Sequence, residues 1–420
     1  MQRLIRSRRV RRYAASLTPD RLRMQAIVLA AGLWITAAYT LFTPGAFDRN
    51  GILKGVDFLQ FYTAAQTVWN GAAHQLYDWG AFASRLRNVI PGTGDLLFLS
   101  VYPPQLAIAL APLGSLSYFG ALMTWTLVSG ALYGGGGYLI ARELARSGHA
   151  SVPGWLLAIA FVPFQQLVLH GQVAALVLVC FTGAWVALRR QYWFVFGLLL
   201  GSVCFKPPFL VAALCALVLT RDVRAAAGTI VAVAVQVLAV SLILGTDIWR
   251  QYFDKVLVLV NSPEMFEPKL WQMHNLKGFW QLLLGSGTVA SALWVGTAVV
   301  ALAALAYVWR RTDSPDLRMS ALVIVTVLVS PHLYIYDLVV IAVALAALAR
   351  WVFTNAENPV APAIRVLMHL LWWAPLVGPF AVLTRVQVTP IVLGAILWTS
   401  VSAVMSSGAP AQSTVRRESV

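Results

Sequence analysis

The chain has 420 residues, of which 59% are hydrophobic and 11% charged. A soluble globular domain carries about 25% charged residues, so a water-soluble enzyme is excluded before any motif is read. The 31 basic and 16 acidic residues leave a net charge of +15, which points to nucleic acid on a soluble protein and to topology on a membrane protein.

Residues 1–24 are rich in arginine ("RLIRSRRVRRYAASLTPDRLR") with no small-residue cleavage site behind them, and read as a retained basic cytoplasmic tail. A first span is expected near 25–43. The segment 44–117 reads as a long first extracytoplasmic loop with amphipathic pieces around 57–69 and 78–90. The apolar stretch 98–113 within it is interrupted by Pro103, Pro104 and Pro112 and reads as interfacial or re-entrant. Spans follow near 118–140, 152–169 and 173–188. The run from Tyr192 to Thr220 is broken by "FKPPF" and flanked by arginines at both ends, which predicts a hairpin of two short helices with Lys206 near its outer tip. Residues 246–287 form a later extracytoplasmic loop. Spans near 225–245, 288–309, 319–331, 337–349, 362–382 and 387–405 bring the number to about twelve, in one transmembrane domain over 25–405 with a cytoplasmic tail at 406–420. The fold class expected is thus an all-α polytopic membrane protein. The Gly134–Gly137 run lies inside a span and reads as close helix packing. Cys180, Cys204 and Cys215 lie in apolar runs and read as small buried hydrophobes.

On this topology 21 of the basic and 7 of the acidic residues fall on the inner side, a balance of +14; the remaining 10 and 9 leave +1 outside. The basic excess is therefore a positive-inside signal, and nucleic-acid binding loses its support. All five lysines lie on the outer side.

Several polar groups gather at that outer face: Asp57, Tyr102, His170, Gln172, Lys206, His274, Asn275, His332, Tyr336 and Asp337, with Arg250, Lys255 and Glu264 in the later loop. Ionisable groups near membrane depth are costly and usually face a cavity or a partner, so one shared cavity is expected. Each has a structural alternative. Asp57 and Asp337 can cap helices, Lys206 can snorkel, His332 can be a core histidine, and Gln172 can bond a freed carbonyl near Gly171. No D-x-D, H-E-x-x-H, C-x-x-C or Walker pattern occurs, so no nucleotide-sugar site, metal or other cofactor is expected.

The segments "VDFLQFYTAAQTVWNGAAHQLYD", "VYPPQLAIALAPLGSL", "HGQVAALVLV", "GLLLGSVCFKPPFL" and "SPHLYIYDLVV", in this order, resemble glycosyltransferase family 87 over roughly residues 25–350. The resemblance implies a GT-C type helical bundle that takes a polyprenyl-phosphate sugar donor, passes the sugar to a lipid or glycan acceptor, and works among membrane lipids at the outer face of a bacterial plasma membrane, both termini being cytoplasmic. The family includes mannosyl- and arabinofuranosyltransferases, and mannose is the sugar expected. The resemblance further implies that Asp57 is the catalytic base. The family's mannosyltransferases carry a histidine a few residues beyond the Ser-Pro of the late loop; here His332 follows Pro331 directly, and Tyr336 and Asp337 occupy that region.

One carboxylate suffices for an inverting displacement, and the departing phosphate needs donors preorganised beside it. Lys206, His332, Tyr102 and Arg250 are the candidates for the phosphate; Tyr62, Gln172, Tyr336 and Asp337 for substrate hydroxyls. Two other classes remain open on the sequence: a carrier of a lipid-linked sugar or solute without covalent chemistry, and a non-catalytic partner in envelope assembly.

Overall fold

The computed structural model describes residues 7–93, 98–146, 148, 154–261 and 269–407; Glu264 lies outside them. The regular secondary structure of the described residues is helical, apart from isolated bridges. Helix α1 (Arg8–Ser16) precedes α2 (Pro19–Leu41). The Thr18 hydroxyl accepts from the Arg21 amide and Pro19 opens the first turn, so α2 starts six residues before the apolar run does. The first loop carries α3 (Phe58–Trp69), α4 (Trp79–Val89) and α5 (Pro104–Leu110), the first two where amphipathic pieces are expected. Then come α6 (Tyr118–Ala145), α7 (Gly154–Ile159), α8 (Val162–His170) and α9 (Ala174–Arg189). The hairpin is α10 (Trp193–Ser202) and α11 (Leu210–Thr220), with Lys206 between two single 3-10 turns.

After it lie α12 (Val223–Leu244), then α13 (Asp247–Asn261) and α14 (Leu276–Leu284) in the later loop. The chain continues through α15 (Thr288–Arg311), α16 (Pro315–Val329), α17 (Ile341–Thr354), α18 (Ala361–Val377), the single turn α19 (Ala381–Thr384) and α20 (Val388–Ser407). Six of these segments are long and apolar enough to cross a membrane, and three shorter apolar ones accompany them. The protein is a polytopic membrane protein.

Helix α16 is buried along almost its whole length, from Asp316 to Val329. A helix apolar all round belongs at the centre of a bundle, and α11, α15, α17 and α20 pack around it. The α7–α8 break frees backbone carbonyls that lipid cannot satisfy. Trp34 Nε1 donates to the Ile159 carbonyl at 2.9 Å and the Tyr133 hydroxyl to that of Ala158 at 2.9 Å. The expected close packing at Gly134–Gly137 holds only for Gly136, against Leu178; added Cβ atoms at Gly134, Gly135 and Gly137 would meet open space. The closest crossing is α10 on α12. A Cβ on Gly197 would lie 1.8 Å from the Ala225 carbonyl oxygen, and one on Gly228 2.0 Å from that of Phe194, so only glycine admits this approach.

Candidate active site

Asp57 immediately precedes α3, the position of a helix cap. Asp78 and Asp222 precede α4 and α12 in the same way, and both accept hydrogen bonds from first-turn amides. Asp57 makes no such bond. The backbone explains the difference. Asp78 and Asp222 are extended, with ψ of 99° and 118°, whereas Asp57 is already helical, with ψ of −21°. A capping side chain needs the extended form to reach back to the first-turn amides. The Asp57 carboxylate is therefore turned away from its helix, and Gln172 Nε2 donates to its Oδ2 at 2.8 Å.

That contact depends on Gly171. It ends α8 in the left-handed conformation, with φ of +67°, where a side chain is strained. A Cβ there would lie 2.6 Å from Phe58 Cβ. The glycine thus lets the "HGQ" turn lie directly on the start of α3. Gln172 is 1% exposed, and its Oε1 has no hydrogen-bond partner among the described residues. The facing carboxylate can only accept, which orients the amide nitrogen toward Asp57 and leaves this buried oxygen short of a donor.

Lys206 is 3% exposed and forms a buried ion pair with Asp337. The rings of Phe209, Tyr102 and Tyr336 surround its ammonium at 5.6, 5.9 and 5.9 Å. The second Asp337 oxygen accepts from the Tyr334 amide at 3.3 Å. Burial pushes the Tyr102 hydroxyl up to about 12; Lys206 opposes this and the carboxylates of Asp337 and Asp57 add to it. Tyr102 thus stays a protonated donor between the two carboxylates. Tyr336 joins the same group, its ring 5.7 Å from His170 and 5.9 Å from Tyr334, which in turn meets His332 edge-on at 4.7 Å.

Asp57, Gln172, Lys206, Tyr102, Tyr336, Asp337, His170 and His332 therefore converge as the sequence leads one to expect. Other candidates are placed differently. Asp337, expected at substrate hydroxyls, is engaged by Lys206 and Tyr334. The Tyr62 hydroxyl donates to the Leu116 carbonyl at 2.7 Å, holding the loop against α3. Arg250 is exposed on α13, and no described contact joins it to the group; that helix instead docks on the first loop through Tyr252 against Tyr77 and Lys255 over Trp79. His274 and Asn275 act as a clamp. The His274 amide donates to the Leu333 carbonyl at 3.1 Å, and Asn275 Nδ2 to that of Ser330 at 2.9 Å. They fix the loop that carries His332 and Asp337.

A second polar cluster was not anticipated from the sequence as a cluster. Glu143, near the end of α6, takes Arg146 at 2.6 Å, Arg190 at 3.0 Å and also Arg189. Asp316 takes Arg350 at 2.5 Å and Trp185 Nε1 at 2.9 Å. Both acids are buried. The signal was an acid embedded among apolar and arginine residues in "ARELAR" and "SPDLR".

A family model described as glycosyltransferase family 87 matches residues 99–331, more than half the chain. The chain belongs to glycosyltransferase family 87. Neither the curated proteins nor the solved structures gave a match. The matched stretch holds Tyr102, Gln172, Lys206 and Arg250; Asp57 lies before it, and His332, Tyr336 and Asp337 just after it. The protein is a membrane glycosyltransferase of this family, with a sugar donor and an acceptor as its substrates.

Proposed function

We propose that this glycosyltransferase moves a sugar, mannose, from a polyprenyl-phosphate donor to a lipid or glycan acceptor at the extracytoplasmic face of a bacterial plasma membrane, with inversion at the anomeric carbon and Asp57 as general base. The observation that carries the reading is the Asp57 carboxylate itself, which declines the cap that two other aspartates take and is gripped by a buried glutamine. The chain crosses the bilayer twelve times with both termini inside: α6, the broken α7–α8, α9, the two hairpin arms and α16 add six crossings to the six long apolar segments. The opposite-end placement of the arginine cluster supports that orientation.

In the reaction, the acceptor hydroxyl gives its proton to the free Asp57 oxygen as its own oxygen attacks the anomeric carbon. The carbon–oxygen bond to phosphate breaks, and polyprenyl phosphate leaves with the electron pair. Gln172 holds Oδ2, so the basic oxygen points one way, and its unsatisfied Oε1 accepts from a substrate hydroxyl. Lys206 has ammonium protons beyond the one given to Asp337; with the Tyr102 hydroxyl and His332 it stabilises the developing phosphate charge. Tyr336 flanks the sugar. The decisive experiment incubates native membranes with radiolabelled polyprenyl-phosphate mannose. Asp57→Asn keeps the shape of the side chain, so the variant accumulates normally and transfers no label. Transfer at the wild-type rate by that variant would sink the base assignment.

A further inference from the structure

The first loop holds a second feature that the site above does not use. Helices α3 and α4 and the first turn of α6 enclose an open cleft of about 680 Å³, within the range of ligand sites. Its polar lining is Gln66, Gln75, Ser84, Arg85, Asn88 and Ser117. The buried Tyr62 and Tyr118, packed edge-to-face at 5.5 Å, also border it. Arg85 is the one charged side chain in the lining, and it is held by Gln75 Oε1 at 3.0 Å.

We infer that this cleft binds the carbohydrate chain of a glycan acceptor. Two observations point that way. Side-chain amides present a donor and an acceptor in one plane, which matches adjacent sugar hydroxyls; Gln66, Gln75 and Asn88 line the cleft. All the lining residues belong to the first loop and the adjoining turn, and none to the six long apolar segments, so the occupant arrives from the aqueous side. The cleft is also tied to the base. The Tyr118 hydroxyl donates to the carbonyls of Lys54 and Gly55, both at 2.9 Å, and its ring lies 5.9 Å from Phe58. Tyr118 thus fixes the backbone just before Asp57 and packs on the ring of Phe58 just after it, while lining the cleft.

The inference rests on the reading of Asp57 as the base, and the test separates the two. The full-length protein in lipid nanodiscs is titrated with α-linked mannotetraose, and with glycerophosphoinositol as a lipid-headgroup probe, by saturation-transfer NMR. Mannotetraose is expected to bind the wild type and Asp57→Asn alike. Gln66→Ala combined with Asn88→Ala should weaken it about tenfold or more, and Asn88→Trp, at an exposed position, should block it by filling the cleft. Arg87→Ala, on α4 but outside the cleft, should match the wild type. No saturation transfer to mannotetraose at millimolar concentration, an unchanged affinity in both cleft variants, or binding of glycerophosphoinositol alone would each overturn the inference. Failure of the base assignment is read elsewhere, as label transfer by Asp57→Asn.

Discussion

The same helices carry polar clusters at both ends, and the two are built on opposite rules. Helix α9 has 16 residues, about 24 Å at 1.5 Å per residue. Gln172 lies just before it, and Arg189 ends it. The 3-10 segment Ile335–Val340 that leads into α17 carries Asp337, and Arg350 lies near the far end of α17. At the arginine end both buried acids are surrounded: Glu143 by three guanidiniums, Asp316 by Arg350 and the Trp185 indole. Guanidinium forks are always charged and bind carboxylates in fixed geometry. This end closes the helix bundle. At the Asp57 end the cation is a lysine, the donors are amide and hydroxyl groups, and a buried acceptor is left open at Gln172 Oε1. Such gaps are costly; at the other end Arg350 Nε is likewise without a hydrogen-bond partner among the described residues.

The largest test of this contrast is Asp57→Asn. Loss of a general base costs about 10²–10⁴ in rate, while the fold is untouched because Asp57 caps nothing. Label transfer per folded molecule measures it; a loss of folded protein instead would move Asp57 to the structural side. Lys206 and Asp337 come next. Removing either alone leaves the other charge buried, at about 3–5 kcal/mol, seen as a lower unfolding midpoint. The double variant Lys206→Met with Asp337→Leu should regain stability but transfer about 10²–10³ more slowly, the value of one transition-state donor. If the double variant regains transfer as well, the pair is only a pin. Glu143→Ala gives the converse at the other end. It leaves Arg189 only the Asp316 carboxylate, 3.9 Å away, and destabilises the bundle by less than about 3–5 kcal/mol, the more so because water screens the half-exposed Arg146 and Arg190. Transfer per folded molecule should stay within about twofold.

Helices were legible because apolar length and prolines are local. The hairpin about Lys206 and the two amphipathic pieces of the first loop stand where "FKPPF" and the alternation of "DFLQFYTAAQTVW" put them. Candidate residues were legible as a set, since polar groups at the ends of apolar runs are few. Their pairings were not. Nothing in "SPHLYIYD" tells that Asp337 meets a lysine 131 positions earlier, because such a contact is made by helix packing. The arginines at 146, 189, 190 and 350 were legible only as topology, since a positive-inside bias is a sum and a clamp is a geometry. Asp57 is the sharpest case. Its sequence context equals that of a cap, and only its ψ angle separates it from Asp78.

The smallest expected effect concerns the clamp that holds the Asp337 loop. His274 is buried, with Nδ1 2.9 Å from the Thr389 hydroxyl, and burial lowers its pKa from 6.5 to about 3. The unfolded chain takes a proton below pH 6.5 that the folded protein refuses until about pH 3. The unfolded state therefore binds more protons in that window, and stability present above pH 6.5 drains as pH falls through it. His274→Gln removes the titration, so its unfolding midpoint should fall less than that of the wild type between pH 7.5 and 4.5. Equal slopes would mean that His274 is not the acid-sensitive group. The arginine end should not follow this course. Its guanidiniums stay charged throughout that window.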